Sequence, residues 1–149
     1  MTIEGKSTDE YKELSRFVGR WNTEGKIPAT NSTPEMKIIG TDTYEWLPGG
    51  YFLLHKADVF VGDDKNETFE VVGFDKLTGK YTMQHYDNKG NSGHMTATYE
   101  KGVWTFIGET LKFTGGFKNE DKEFSGIWEQ STDGKNWNHF MDIQLTKNN

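Results

Sequence analysis

Phe17-Val18-Gly19-Arg20-Trp21 is the stretch of sequence on which the predicted fold depends. Before it, the sequence predicts one short helix. After it, strands and turns follow to the end of the chain. A Gly-x-Trp step directly after an amphipathic helix favours a change from helix to sheet at Gly19. We expect Trp21 to be buried at one closed end of a barrel, in contact with the helix through Leu14, Phe17 or Val18.

The predicted helix covers about residues 8–18. Ser7-Thr8-Asp9-Glu10 fits a capping box, with Ser7 as the N-cap and Glu10 at the third helical position. Gly19 is well placed as a left-handed terminator. One face carries apolar side chains at helical spacing, namely Tyr11, Leu14, Phe17 and Val18. We therefore expect a lid over a barrel end rather than a partner-binding helix.

The remainder of the chain predicts an antiparallel barrel. Alternating apolar residues and turn signals indicate ten strands, at about 21–27, 37–47, 51–61, 68–75, 80–87, 93–100, 103–111, 112–118, 123–131 and 137–146. A sheet of this size in one small domain has exposed edges unless it closes on itself. The predicted fold class is thus all-β, a single domain over 1–149 with the barrel at about 21–146.

Composition excludes several classes of function. The net charge is −6 and the lysines are scattered, which argues against binding to nucleic acid or to an anionic membrane. Cysteine is absent, so disulfides, thiol nucleophiles and thiolate metal sites are excluded. No apolar run approaches the length of a membrane span, and the N-terminus has no signal-peptide core. We expect a cytoplasmic protein, and the sequence leaves its oligomeric state open.

Three glycine turns predict the register of the later strands. They lie at Lys89-Gly90, Lys101-Gly102 and Asp133-Gly134. The pairs that two-residue turns imply are His85–His94, Tyr99–Trp104, Ala97–Phe106 and Trp128–His139. The more apolar face, which we assign to the interior, carries Tyr86, Met95, Ala97, Tyr99, Trp104 and Phe106. One extra loop residue would reverse the face of a strand, because its side chains alternate with period two.

No catalytic motif is present. The chain has neither a Gly-x-Ser-x-Gly elbow nor a phosphate-binding glycine loop. His85 and His94 are the best candidate for a metal site, but zinc needs a third protein ligand that no motif supplies. We therefore expect no bound metal and no catalytic residue. His55 lies in an apolar strand and is interpreted as an interior histidine with satisfied hydrogen bonds.

Four segments carry a resemblance to a known family. They are Phe17 to Gly25, Leu47 to Leu53, Val72 to Asp75, and Asp133 to Trp137 followed by Phe140-Met141-Asp142. They resemble the landmarks of a bacterial lipocalin-like family catalogued as a domain of unknown function. The resemblance implies a calycin-type barrel and brings no established substrate. Lipocalins often set a basic residue of the last strand over the Gly-x-Trp indole, and the final strand here has no arginine.

A weaker resemblance is to nitrobindin-like haem barrels. It implies haem as a cofactor, with His139 as the axial ligand inside the cavity. Without that resemblance the expected cofactor is none.

The expected function is non-catalytic binding of a small apolar or aromatic molecule inside the barrel. The predicted ligand-binding residues are Tyr86, Tyr99, Trp104, Phe106, Trp128 and His139. One alternative is a haem-binding or enzymatic barrel that uses a cavity histidine, and another is a filled barrel acting as an interaction module. A wholly apolar lining favours the first function, a titratable side chain in the cavity favours the second, and a cavity volume near zero favours the third.

Overall fold

A computed structural model describes residues 2–148 as one short helix followed by a closed ten-stranded barrel. The elements are α1 (Asp9–Ser15), β1 (Gly19–Ile27), β2 (Met36–Trp46), β3 (Leu53–Val61), β4 (Asp64–Asp75), β5 (Lys80–Asp87), β6 (Ser92–Glu100), β7 (Val103–Ile107), β8 (Leu111–Lys118), β9 (Glu123–Gln130) and β10 (Asn138–Lys147). Each strand pairs antiparallel with the next, and β10 pairs with β1 to close the barrel. The predicted all-β antiparallel barrel is confirmed. Within residues 2–148, no helix has the length and apolarity needed to cross a bilayer.

The helix closes one end of the barrel. Trp21 is completely buried, and its Nε1 donates a hydrogen bond of 2.8 Å to the carbonyl oxygen of Phe17. Phe17 is buried beside it, with its ring centroid 5.3 Å from that of Trp104 and 4.9 Å from that of Phe124. The predicted burial of Trp21 against the helix is confirmed.

A lysine of the last strand covers the Trp21 indole. The Lys147 Nζ lies 4.5 Å from the ring centroid of Trp21 and donates a hydrogen bond of 3.0 Å to the carbonyl oxygen of Val18. Burial lowers the pKa of Lys147, and the negative charge of Asp121 acts in the opposite direction. The final strand therefore supplies its basic residue as lysine, although it lacks arginine.

The helix is shorter than predicted, and its predicted caps are wrong. The N-cap is Thr8 instead of Ser7, and the Thr8 hydroxyl donates to the Glu10 carboxylate rather than capping a backbone N–H. The helix ends in a tight turn, in which the N–H of Phe17 donates to Leu14. Gly19, with φ of +135°, is the first residue of β1 because the chain enters the sheet directly from that turn.

The turns settle which strand faces point inward. At Lys101-Gly102 the predicted register is confirmed, since Tyr99 lies opposite Trp104. The register after β5 is wrong by one residue, because the Asp87 N–H donates to the Asn91 carbonyl and leaves a three-residue loop. His85 thus lies opposite Gly93, and His94 lies opposite Gln84 on the other face.

The predicted hairpin at Asp133-Gly134 is also wrong. The Asp133 carboxylate accepts hydrogen bonds from the backbone N–H groups of Lys135 and Asn136, which widens the turn into a loop between β9 and β10. Trp128 consequently lies opposite Met141 instead of His139. The register also shifts between His139 and Met141.

Candidate functional site

A cavity of about 330 Å³ lies inside the barrel. Along β3 its lining runs from His55 through Ala57 and Val59 to Val61, away from the strand end that packs on the helix. The apolar lining includes Met83, Met95, Phe106, Phe113, Phe124, Trp128, Met141 and Ile143. The polar lining is formed by Thr23, Asp42, Tyr44, His55, Thr68, Glu70 and His85. Most of the polar side chains come from neighbouring strands, so the cavity has one polar wall.

His55 is the centre of that polar wall. Its Nε2 lies 2.6 Å from Oδ2 of Asp42, and its Nδ1 lies 2.9 Å from Oε1 of Glu70. The register explains the meeting, because His55 lies opposite Glu70 on β4 and opposite Tyr44 on β2. Asp42 is two residues from Tyr44 and shares its face. The Thr23 hydroxyl of β1 donates a further hydrogen bond to Asp42.

The histidine is positively charged at neutral pH. Burial disfavours the charged ring, but the hydrogen bonds to Asp42 and Glu70 and their negative charges outweigh it and raise the pKa of His55 to about 9. Two carboxylates and one imidazolium give this cluster, Asp42–His55–Glu70, a formal charge of −1. The Tyr44 ring stacks on the imidazolium with centroids 4.0 Å apart. Burial, and then the charges of Asp42 and Glu70, raise the pKa of Tyr44 well above its ordinary value, so its hydroxyl stays neutral.

The hydrogen bonds of His55 restrict its chemistry. Both ring nitrogens donate to carboxylates, so neither has a lone pair free to bind a metal or to accept a proton. Across residues 2–148 no three His, Cys, Asp or Glu side chains are grouped so that they could hold a metal ion. The cluster can instead hold two carboxylates in fixed positions at the cavity wall, where they can accept hydrogen bonds from a ligand.

The predicted ligand-binding residues separate into two groups. Phe106 and Trp128 line the cavity. Trp104 lies at the end of the cavity nearest the helix, and Tyr99 packs on Trp104 with ring centroids 5.1 Å apart. Their role in binding stays a prediction. The interior placement of Tyr86 is wrong, since the extra loop residue turns it outward and leaves it 54% exposed.

The placement of His139 beside a cavity is also wrong. Its side chain is 46% exposed, and Nε2 lies 3.0 Å from Oδ1 of Asp142. The wide loop before β10 removes it from the position opposite Trp128. This geometry argues against His139 as an axial haem ligand, whereas His85 does line the cavity.

Sequence reasoning missed Thr23, Asp42, Tyr44 and Glu70. A signal for one of them was present in β4, where alternation with the inward residue Val72 places Glu70 on the inner face. His55 was interpreted correctly as a satisfied interior histidine. A buried histidine needs polar partners, but choosing them requires the register of three strands.

A larger depression of about 800 Å³ lies across β1, β2, β9 and β10 and shares Ile38 and Ile143 with the cavity. Exposed charged residues such as Glu24 and Lys37 contribute to its lining. It holds no cluster comparable to that of His55, so the cavity inside the barrel is the better candidate site.

Comparisons with known proteins concern family and fold. Residues 6–115 match the model of a family described as "Protein of unknown function (DUF1579)". No curated protein matches the chain. The chain is similar to a solved structure titled "Crystal Structure of Rv2717c from M. tuberculosis", with a TM-score of 0.69 at 10% identity, over 97% of this chain and 100% of that one. At this identity the likeness concerns the fold alone.

Proposed function

The chain belongs to the DUF1579 family of proteins of unknown function, and we propose that it binds a small apolar or aromatic molecule inside the barrel without transforming it. The observation that carries this proposal is the cavity of about 330 Å³. Ligand sites in proteins have volumes of about 300–1,000 Å³ and are mostly apolar with a few placed polar groups. A cavity of this size argues against the filled barrel.

The aromatic lining supports an aromatic or aliphatic ligand. Phe106, Phe113 and Trp128 lie against one another, with ring centroids 4.8 Å apart for Phe106–Phe113 and 5.2 Å apart for Phe113–Trp128. Rings of this kind offer a large apolar contact area at low cost in side-chain entropy.

A histidine that lines the cavity supports a second candidate function. The lining is not wholly apolar, and His85 faces the cavity from β5. A haem-binding or enzymatic barrel that uses His85 is therefore the alternative. His55 does not support it, because both of its nitrogens are engaged by carboxylates.

We also propose a lipocalin-like, calycin-type classification. The position of Lys147 over the buried Trp21 supports it, since a basic residue of the last strand takes this place in lipocalins. The cytoplasmic location and the lack of nucleic-acid and membrane partners stay proposals based on charge and composition.

The test of function is a screen of fatty acids, flavonoids, indoles and haem by calorimetry and thermal unfolding. A ligand at 100 times its Kd should stabilise the fold by about 2.7 kcal/mol. Ala57→Leu, which places a larger side chain in the cavity, should weaken binding strongly. Asp58→Leu, on the exposed face of the same strand, is the matched control and should not.

Two outcomes would count against the proposal. Absence of binding across the panel would contradict it, and so would binding that Ala57→Leu leaves unchanged. Haem binding that is lost in His85→Ala and kept in His139→Ala would favour the alternative function.

A further inference from the structure

A second, much smaller void adjoins the end of the cavity nearest the helix. Its volume is about 20 Å³, and it shares the lining residues Tyr44, Glu70, Met83 and Phe106 with the cavity. About 10–15 Å³ is enough to admit one water-sized group. The void therefore has room for a single oxygen-sized group and not for the body of a ligand.

Three residues that carry polar groups with unused hydrogen-bonding capacity, Trp104, Glu70 and Tyr44, contribute to the otherwise apolar lining of this void. Trp104 is 1% exposed, and within residues 2–148 its Nε1–H has no acceptor. Glu70 accepts from His55 through Oε1, which leaves Oε2 for another donor. The neutral Tyr44 hydroxyl can donate or accept. An indole N–H that is buried without an acceptor is costly, so a partner at this point is favourable.

We infer that the void receives the hydroxyl group of the ligand, and that the ligand is an apolar or aromatic alcohol or phenol. This inference rests on the proposed function. A hydroxyl group can donate to Glu70 and accept from Trp104 at the same time. Its apolar body then lies in the cavity against Phe106, which borders both spaces.

Other head groups satisfy the site less well. An ammonium group can donate to Glu70 but has no lone pair for the Trp104 N–H. A carboxylate can accept from Trp104 but is repelled by the formal charge of −1 on the Asp42–His55–Glu70 cluster. A hydrocarbon leaves Trp104 and Glu70 without partners.

The experiment compares four ligands with one ring system, namely 2-naphthol, naphthalene, 2-naphthoate and 2-naphthylmethylamine. Calorimetry at neutral pH should give a Kd for 2-naphthol about tenfold or more below that of each of the others. In the same samples, the indole proton signal of Trp104 should move with 2-naphthol and stay in place with naphthalene. This second readout needs no variant.

Conservative variants locate the effect. Trp104→Phe removes the N–H and keeps a ring, and Tyr44→Phe removes the hydroxyl and keeps the stacking on His55. Trp104→Phe should reduce the preference for 2-naphthol over naphthalene to about threefold or less, and Tyr44→Phe should reduce it by a smaller factor. Tyr86→Phe, the same chemical change as Tyr44→Phe on the exposed outer face, is the control and should preserve the preference.

The possible failures are distinguishable. If naphthalene binds as tightly as 2-naphthol, or the amine binds more tightly, the inference is wrong and the proposed function stands. The same holds if Trp104→Phe keeps the full preference for 2-naphthol. If none of the four compounds binds to the wild-type protein, the inference is contradicted, and the proposed function is contradicted as well when the panel of fatty acids, flavonoids, indoles and haem also fails to bind.

Discussion

At the helix end of the barrel, Trp21, Leu14 and Phe17 fill the interior with apolar side chains that are at most 4% exposed. In the other half, the same strands surround a cavity of about 330 Å³ and place a charged histidine between two carboxylates. One β2 strand serves both regions, since its inward residues run from Trp46 at the packed end to Asp42 at the cavity.

The contrast separates stability from function. Dense apolar packing stabilises a fold, whereas unfilled volume and buried charge cost stability. Buried polar groups in an otherwise apolar core are expected at functional sites. The helix end is therefore the half of the barrel that contributes most to stability. The cavity end is the half in which we expect a ligand to bind. Three predictions sharpen this contrast.

The largest expected effect lies at the helix end. Trp21→Ala should lower the free energy of unfolding by about 3–5 kcal/mol, because it removes a buried aromatic ring and its hydrogen bond to Phe17. Urea unfolding measures the change. Tyr86→Ala, at an exposed aromatic, is the control and should cost about 1 kcal/mol or less. A loss at Trp21 as small as that of the control would contradict the packed-end interpretation.

The second effect is a pH dependence at the cavity end. The folded-state pKa of His55, about 9, lies above the ordinary value of 6.5. Protonation of His55 therefore stabilises the folded state, and this contribution is fully present below pH 6.5 and is lost as pH rises through 9. The difference corresponds to about 3 kcal/mol. Unfolding free energies measured from pH 6 to pH 9.5 should fall by up to this amount.

Two variants test whether His55 is the source of that pH dependence. His55→Gln should flatten the profile between pH 6.5 and 9, because glutamine does not titrate. His139→Gln, at a half-exposed histidine, should retain the wild-type slope. Equal slopes in wild type and His55→Gln would show that the pH dependence arises elsewhere.

The smallest effect concerns the lysine over Trp21. Lys147→Met should lower the free energy of unfolding by about 1 kcal/mol, since it removes the cation over the indole ring and the hydrogen bond to Val18. Lys147→Arg keeps a cation and a donor and should cost less. Equal free energies of unfolding for the methionine and arginine variants, measured by thermal and urea unfolding, would contradict this prediction.

Local patterns in the sequence were sufficient for the architecture. Alternation and glycine turns predicted ten strands, and the Gly-x-Trp step predicted the buried Trp21. The Lys101-Gly102 turn also predicted its register, because a tight two-residue turn has one geometry. These features depend on neighbours in the chain, so the sequence alone determined them.

The candidate site depended on tertiary structure, and the inward face of β5 depended on a loop contact that strand alternation does not encode. The Asp87 and Asp133 carboxylates bind backbone N–H groups and lengthen their loops, and a shift of one residue turned Tyr86 outward. The polar wall joins Thr23, Asp42, His55 and Glu70 from four strands. No local pattern encodes such a meeting, because closure and register of the barrel decide which side chains become neighbours across strands.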